Sequence, residues 1–250
     1  MSSSKKHIIA NWKMDQTLEE MFYFLKELEV LLPSSQHKAY IAAPYPLIHP
    51  LVEKSRKFNV TIGSQDLSEH DKGAYTGDVS ALILKSVGAR FTLVGHSERR
   101  QYHQEMDLQV SKKLQQGLKY GLEVVLCIGE SLEERQQGQT KIVLQRQLER
   151  ALRGLTVKDL PFIKVAYEPI WAIGTGQTAQ VDQVQYLHQF CKDCMLSIFS
   201  CEKELLPPVL YGGSVKPENI AYFLEKEVID GALIGGASLK ASSFCRMLKI

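Results

Sequence analysis

Several apolar runs in this chain end abruptly in polar or acid–base residues. Asn11 and Lys13, in A-N-W-K, stand two residues apart and point to the same side of an extended segment. An ammonium there can neutralise an anionic substrate. In L-V-G-H-S-E-R-R, His96 follows Gly95 where a short helical turn begins. A helix N-terminus disfavours imidazolium, so His96 is expected to stay neutral and donate a hydrogen bond. Glu98 and Arg99 read as ion-pairing residues, with Glu98 able to reach back and orient Lys13. In V-A-Y-E-P-I-W-A-I-G-T-G, Glu168 closes an apolar run and Pro169 restrains its backbone towards an extended form. Tyr167, Ile170 and Trp171 would strip water from that carboxylate and make it a stronger base. The segment Pro169, Ile170, Trp171, Ala172, Ile173, Gly174 and Thr175 pairs large apolar residues with glycine, as a lid closing over a pocket would. Finally, V-L-Y-G-G-S-V and A-L-I-G-G-A-S-L carry Gly-Gly pairs at Gly212–Gly213 and Gly235–Gly236. Glycine lets backbone N–H groups approach an oxyanion closely. With Gly174 and the start of a helix near Ser238, these pairs predict a phosphate cradle.

Other chemistries fit less well. G-H-S-E-R lacks the second glycine of a nucleophile elbow, since Arg99 stands there, which argues against a serine hydrolase. G-T-G-Q-T-A matches a dinucleotide fingerprint in letters only. It begins six residues after Glu168, and the acidic residue about twenty further on, Asp193, falls in a helical pattern. His188, Cys191, Cys194 and Cys201 fan around one helix and cannot converge on a tetrahedral metal ion. They read as buried or half-buried thiols on a helix. Lys164, in the sixth strand, lacks the surroundings of a Schiff-base lysine.

These residues need elements to hold them. Strands are expected at Lys6–Asn11, Ala39–Ala43, Asn59–Ser64, Arg90–Gly95, Leu122–Ile128, Phe162–Glu168, Pro208–Gly212 and Ile229–Gly235. Amphipathic helices are expected between them, at Leu18–Leu32, Leu47–Lys57, Val79–Val87, Asp107–Tyr120, Leu132–Leu152, Val181–Ser200, Pro217–Glu225 and Leu239–Leu248. Thr17-x-x-Glu20 and Pro217 read as helix starts. Strict alternation implies parallel strands joined by crossovers. Runs such as V-V-L-C-I are apolar throughout, as strands covered on both faces should be. Eight units in 250 residues fit an α/β (β/α)8 barrel, and an open doubly wound sheet is the alternative. No linker divides the chain, so residues 1–250 are expected to form one domain. The stretch from Gln65 to Asp78 has no periodicity and is long for a βα loop. Tyr75 between glycines in it suggests a contact surface.

Composition narrows the function further. Thirty Lys and Arg against 28 Asp and Glu give a net charge of +2, which favours neither nucleic acid nor an anionic membrane as partner. Hydrophobic residues make up 44%, so the chain can build one large core. No apolar run approaches a membrane span, and the apolar part of the N-terminus is too short for a signal peptide. Five cysteines, an odd and sparse set, are no disulfide framework. A cytoplasmic protein is expected.

Taken in order and at their separations, N-W-K, G-H-S-E-R-R, A-Y-E-P-I-W-A-I-G-T-G, Y-G-G-S and G-G-A-S-L resemble the triosephosphate isomerase family from end to end. G-A-Y-T-G and L-C-I-G-E fit as well. The resemblance implies a single TIM barrel that interconverts dihydroxyacetone phosphate and glyceraldehyde 3-phosphate, in glycolysis and gluconeogenesis, with no cofactor and no metal. By motif it implies Glu168 as base, His96 as electrophile, Lys13 and Asn11 as catalytic and substrate-binding neighbours, and Glu98 as the partner of Lys13. Gly174, Ser214, Gly235 and Gly236 correspond to phosphate-binding donors, with Gly213 adjoining. The small phosphorylated triose would be the ligand, and a homodimer the assembly, with Thr76 entering the partner beside Asn11 and Lys13. Asp78, where the family usually has Glu, and Asp15-Gln16-Thr17 depart from the pattern near that contact. Other expectations are a different phosphosugar-acting barrel enzyme, such as a phosphoribosyl isomerase, or a silent phosphometabolite-binding protein. The acid–base residues argue against the second, since binding alone needs no base.

Overall fold

The computed structural model describes residues 5–35, 37–172 and 179–250. Short β-branched runs become eight parallel strands: β1 (His7–Asn11), β2 (Lys38–Ala43), β3 (Val60–Ser64), β4 (Phe91–Val94), β5 (Glu123–Ile128), β6 (Ile163–Tyr167), β7 (Val209–Tyr211) and β8 (Gly231–Ile234). They pair in sequence order, and β8 returns to β1, which closes the barrel and removes the open-sheet alternative. Closure leaves no strand edge unpaired.

Alternation along each strand builds two cores. Ile9 pairs in register with Tyr40 and with Leu233, and Ala166 with both Cys127 and Leu210. These side chains, with Phe91, Leu93 and Val125, fill the barrel interior as one cluster. Their neighbours, including Ile8, Ile41, Val94, Leu126, Val165 and Ile234, face outward into a larger cluster shared with the helices. Among the described residues both faces of the barrel wall are thus mostly apolar, and the acid–base side chains gather beyond the C-terminal strand ends.

The helices follow the amphipathic stretches with instructive differences. The expected capping box forms at α1 (Leu18–Leu31), where Thr17 and Glu20 satisfy each other's backbone N–H. Next come α2 (Tyr45–Ser55), α3 (Ala81–Ser86), α4 (Ser97–Tyr102) and α5 (Asp107–Lys119). The single helix expected over Leu132–Leu152 is instead α6 (Leu132–Gln136) and α7 (Thr140–Ala151). Gly138 lies between them at φ 70°, a left-handed conformation that ends the first helix. α8 (Val181–Phe199) matches its expected span, and it carries Cys191 buried and Cys194 half-buried, with Cys201 beyond its end. Pro217 does not open a helix. Asn219 shapes a turn there, and α9 (Ile220–Leu224) begins only after it. A 3-10 turn at Gly236–Ser238 precedes α10 (Ala241–Leu248).

The stretch after β3 is a built loop. Leu67 is fully buried at its root, and Ser68 N–H donates to the Val79 carbonyl at 2.9 Å. Ser68 Oγ donates to Asp78 Oδ2 at 2.6 Å, so the shorter acid closes the neck of the loop. His70 and Tyr75 stack at 3.8 Å, and residues 72–78, Thr76 among them, stand exposed. Among the described residues no helix is long and apolar enough to cross a membrane.

Candidate active site

Asn11, Lys13, His96, Glu168, Gly213, Ser214, Gly235 and Gly236 line one cavity of about 230 Å³ at the C-terminal ends of the strands. Gly174 and Thr175, with Ile173, lie outside the described residues. Every other residue expected in the catalytic or phosphate-binding set is thus brought to one place. Leu233, from the barrel core, forms the floor.

Glu168 comes directly after β6. With Tyr167 turned outward into the helix layer, alternation points Glu168 inward, where only 2% of it is exposed. Its backbone N–H donates to Ile128 O at 2.7 Å, continuing the ladder one residue past the strand. The approach is so close that a Cβ on Gly129 would sit 1.8 Å from the Glu168 carbonyl oxygen. One carboxylate oxygen, Oε2, accepts from Ser97 N–H at 2.9 Å, at the first turn of α4. The other, Oε1, is 3.1 Å from His96 Nε2. Beneath it lies Cys127, whose thiol is pushed up by burial and by the neighbouring carboxylate.

His96 is the N-cap of α4. Its Nδ1 accepts from the Glu98 backbone N–H at 3.2 Å. An acceptor nitrogen carries no proton, so the ring is neutral and Nε2–H points to the cavity. The sequence pattern leads one to expect a neutral donor here, and the helix terminus fixes which nitrogen donates.

Lys13 leaves β1 with φ 54°, in the left-handed region that a lysine seldom visits. Three side chains hold it there. Asn11 Oδ1 accepts from its backbone N–H at 3.0 Å, Gln65 Nε2 donates to its carbonyl at 2.9 Å, and Glu98 Oε1 takes its ammonium at 2.5 Å. The ion pair expected between Glu98 and Lys13 is present. Arg99 pairs instead with Asp66 and Glu105, behind the site. Gly235 lies against the Lys13 stem, since a Cβ there would meet Lys13 Cε at 3.2 Å. The ammonium and the glycine turn therefore converge on the same space.

That turn has the form of an anion seat. Ser238 N–H closes it on Gly235 O at 2.8 Å, and Ser238 Oγ donates to the carbonyls of Ile234 and Gly235. The leading N–H groups of the 3-10 turn have no partner inside it. The Gly212–Gly213 pair faces it across the cavity.

Two further residues support the site without standing out in the sequence. Gln65 is one. The other is Glu130, which is fully buried just after β5. Its Oε1 accepts from Trp171 Nε1 at 2.9 Å and from Tyr167 OH at 3.2 Å, and its carbonyl accepts from Ile170 N–H. Burial holds its carboxyl above the usual range. The Arg135 guanidinium stacks 3.9 Å over the Trp171 ring. These contacts hold the start of the expected lid, where Ile170–Ala172 form a short 3-10 turn. The L-C-I-G-E string was the available signal for Glu130, but a glutamate after a strand reads equally as a loop entry.

The model of the triosephosphate isomerase family matches residues 6–250. The chain belongs to the triosephosphate isomerase family. It is 39% identical over 250 residues to the triosephosphate isomerase of Protochlamydia amoebophila, covering 99% of this chain and 95% of that one. With the Xanthomonas campestris triosephosphate isomerase it shares 42% over 240 residues, covering 96% and 95%. Among solved structures, that of triosephosphate isomerase from Bartonella henselae superposes with a TM-score of 0.87, at 38% identity and 97% coverage of both chains. The (β/α)8 barrel is the triosephosphate isomerase fold.

Proposed function

We propose that the chain interconverts dihydroxyacetone phosphate and glyceraldehyde 3-phosphate through an enediol(ate), with Glu168 moving the proton between the two carbons. The observation that carries this is a carboxylate, held on one side by Ser97 N–H and on the other by a neutral imidazole, facing a cavity that also holds an ammonium and a glycine seat. Without substrate, Glu168 and His96 satisfy each other. A substrate carbonyl oxygen that takes over His96 Nε2–H frees Oε1 to reach the adjacent C–H. As the proton leaves, negative charge grows on that oxygen, where Nε2–H and the Lys13 ammonium stabilise it. Donors of this kind are each worth about 2.7–4 kcal/mol of barrier. A positioned base contributes roughly 10²–10⁴ in rate. The dianionic end of the substrate sits on Gly235, Gly236 and Ser214, and Gly174 is the further donor that the family motif implies. Closure keeps water from the intermediate, which could otherwise expel its phosphate. No step requires a cofactor.

Glu168→Gln tests this assignment. Turnover should collapse by at least about 10²-fold while inorganic phosphate, a competitive probe, binds as before. Turnover near that of the parent would remove Glu168 from the role of base. In heavy water the parent enzyme should place deuterium on the carbon that is deprotonated.

The assembly we propose is a homodimer of single-domain subunits in the cytoplasm. A second recess of about 300 Å³ shares Asn11, Lys13 and His96 with the cavity and extends past Glu98 towards Met14 and Tyr45. Met14 is 98% exposed, and Tyr75, Tyr102 and Met106 are also exposed. These features support entry of a partner's Thr76 loop beside Lys13. Thr76→Arg should dissociate the dimer and lower turnover together, as read by sedimentation and assay. An active enzyme sedimenting at the mass of one chain would overturn the reading.

A further inference from the structure

The turn after β7 carries a cation that the reaction above leaves unused. Lys216 lines the same cavity as Glu168, Lys13 and Gly236. Its side chain is exposed, and among the described residues no carboxylate pairs with it. Other lysines in the region are neutralised: Lys192 by Asp230 and Lys226 by Asp182.

The turn itself is braced. Asn219 Oδ1 accepts from the Lys216 backbone N–H at 2.8 Å, and Asn219 Nδ2 donates to Ser214 O at 3.0 Å. Val215, between those two residues, is buried at 5% exposure. One amide thus pins both ends of the turn and one apolar side chain anchors its middle, so the backbone presenting Lys216 is fixed.

Charge makes this placement matter. With His96 neutral, the other charged side chains lining the cavity are Lys13 and Glu168, which cancel. The ammonium of Lys13 is moreover shared with Glu98. Without a further cation, a phosphate dianion would enter a site of no net positive charge. Lys216 makes the net charge of the lining positive.

Resting on the reading of this cavity as a triose-phosphate site, we propose that Lys216 is a second phosphate-facing cation that attracts and holds the dianion at the outer lip of the seat. A charge in this position acts on capture more than on chemistry, and its effect fades as salt screens it.

The experiment measures the dissociation constant of inorganic phosphate by calorimetry, and KM and kcat for both triose phosphates, at low and at physiological salt. Lys216→Met keeps the apolar stem and removes the charge. It should weaken phosphate and raise KM by about two- to fivefold, a larger factor than any fall in kcat. The dependence of kcat/KM on salt should flatten. Lys216→Arg should retain the parent values. Lys158→Met makes the same charge change in the segment before β6, at the opposite end of the barrel, and should leave phosphate affinity as it was. Equal phosphate affinity and equal salt dependence in Lys216→Met and the parent would overturn the proposal. A parent that isomerises neither triose phosphate and binds no phosphate would instead overturn the reading of the site itself.

Discussion

Lys13 concentrates the cost of this site in a single backbone. A non-glycine residue in the left-handed region is strained by about 1–3 kcal/mol, and Asn11, Gln65 and Glu98 over-determine it from three directions. Such strain persists where a side chain must point where ordinary backbone would not send it. For Lys13 that direction is the space between His96 and Gly235. Lys13→Met keeps the stem and removes the charge, so the barrel should fold as before. Turnover should fall by about 10²–10³-fold, because the lost ammonium acts on charge that develops only at the transition state. Phosphate should also bind less tightly. Unchanged inhibition by inorganic phosphate, measured beside the rate, would separate the ammonium from the anion seat. Asn11 and Lys13 were legible because they end an apolar strand. Gln65 was not, since its two backbone acceptors are distant in sequence, Lys13 O just after β1 and Ala42 O on β2.

At the scale of elements, a buried acid holds the start of the proposed lid. Glu130 gathers Tyr167 from the end of β6 and Trp171 from the turn after it, contacts that span about forty residues of chain and leave no local spacing to read. Trp171→Phe keeps the ring over which Arg135 stacks but deletes the indole N–H. Removing one donor from a buried carboxylate costs about 1–3 kcal/mol, and here it falls on the segment leading into the lid. The expected outcome is a larger share of turnovers that release inorganic phosphate, with global stability lowered by no more than that amount. A colorimetric phosphate assay alongside the coupled rate measures the ratio, and an unaltered ratio would detach Glu130 from the lid. The same scale explains which elements the sequence pattern misplaced. Apolar periodicity continues on both sides of Gly138, so one helix was expected where its left-handed backbone makes two. Pro217 resembles a helix start, yet the Asn219 side chain closes a tighter turn across it first. The eight strands were legible because burial on both faces leaves short, β-branched apolar runs that alternate with longer amphipathic stretches.

For the whole molecule, a barrel that is dry on both faces of its wall makes a charge inside it expensive, and two histidines show how. His7 lies at the foot of the barrel interior with Nδ1 3.1 Å from Tyr40 OH. Burial lowers its pKa to about 3, and Lys164 and Lys38 lower it in the same sense. His188, on α8, is wholly buried edge-on to Tyr167, and burial, with Lys192 adding to it, also takes it to about 3. In the unfolded chain both return to about 6.5. Between those values the unfolded state binds more protons than the folded one, so stability is complete above pH 6.5 and is lost as pH falls towards 3. Each group contributes about 1.4 kcal/mol per pH unit in that window. Surface carboxylates add their own acid sensitivity, so the decisive comparison is a variant. His188→Phe keeps a ring against Tyr167 and removes the titration. Urea midpoints taken from pH 7 to 4 should then decline less steeply than in the parent, by about one proton's worth of slope. Parallel curves for the two proteins would mean that His188 keeps its proton on folding.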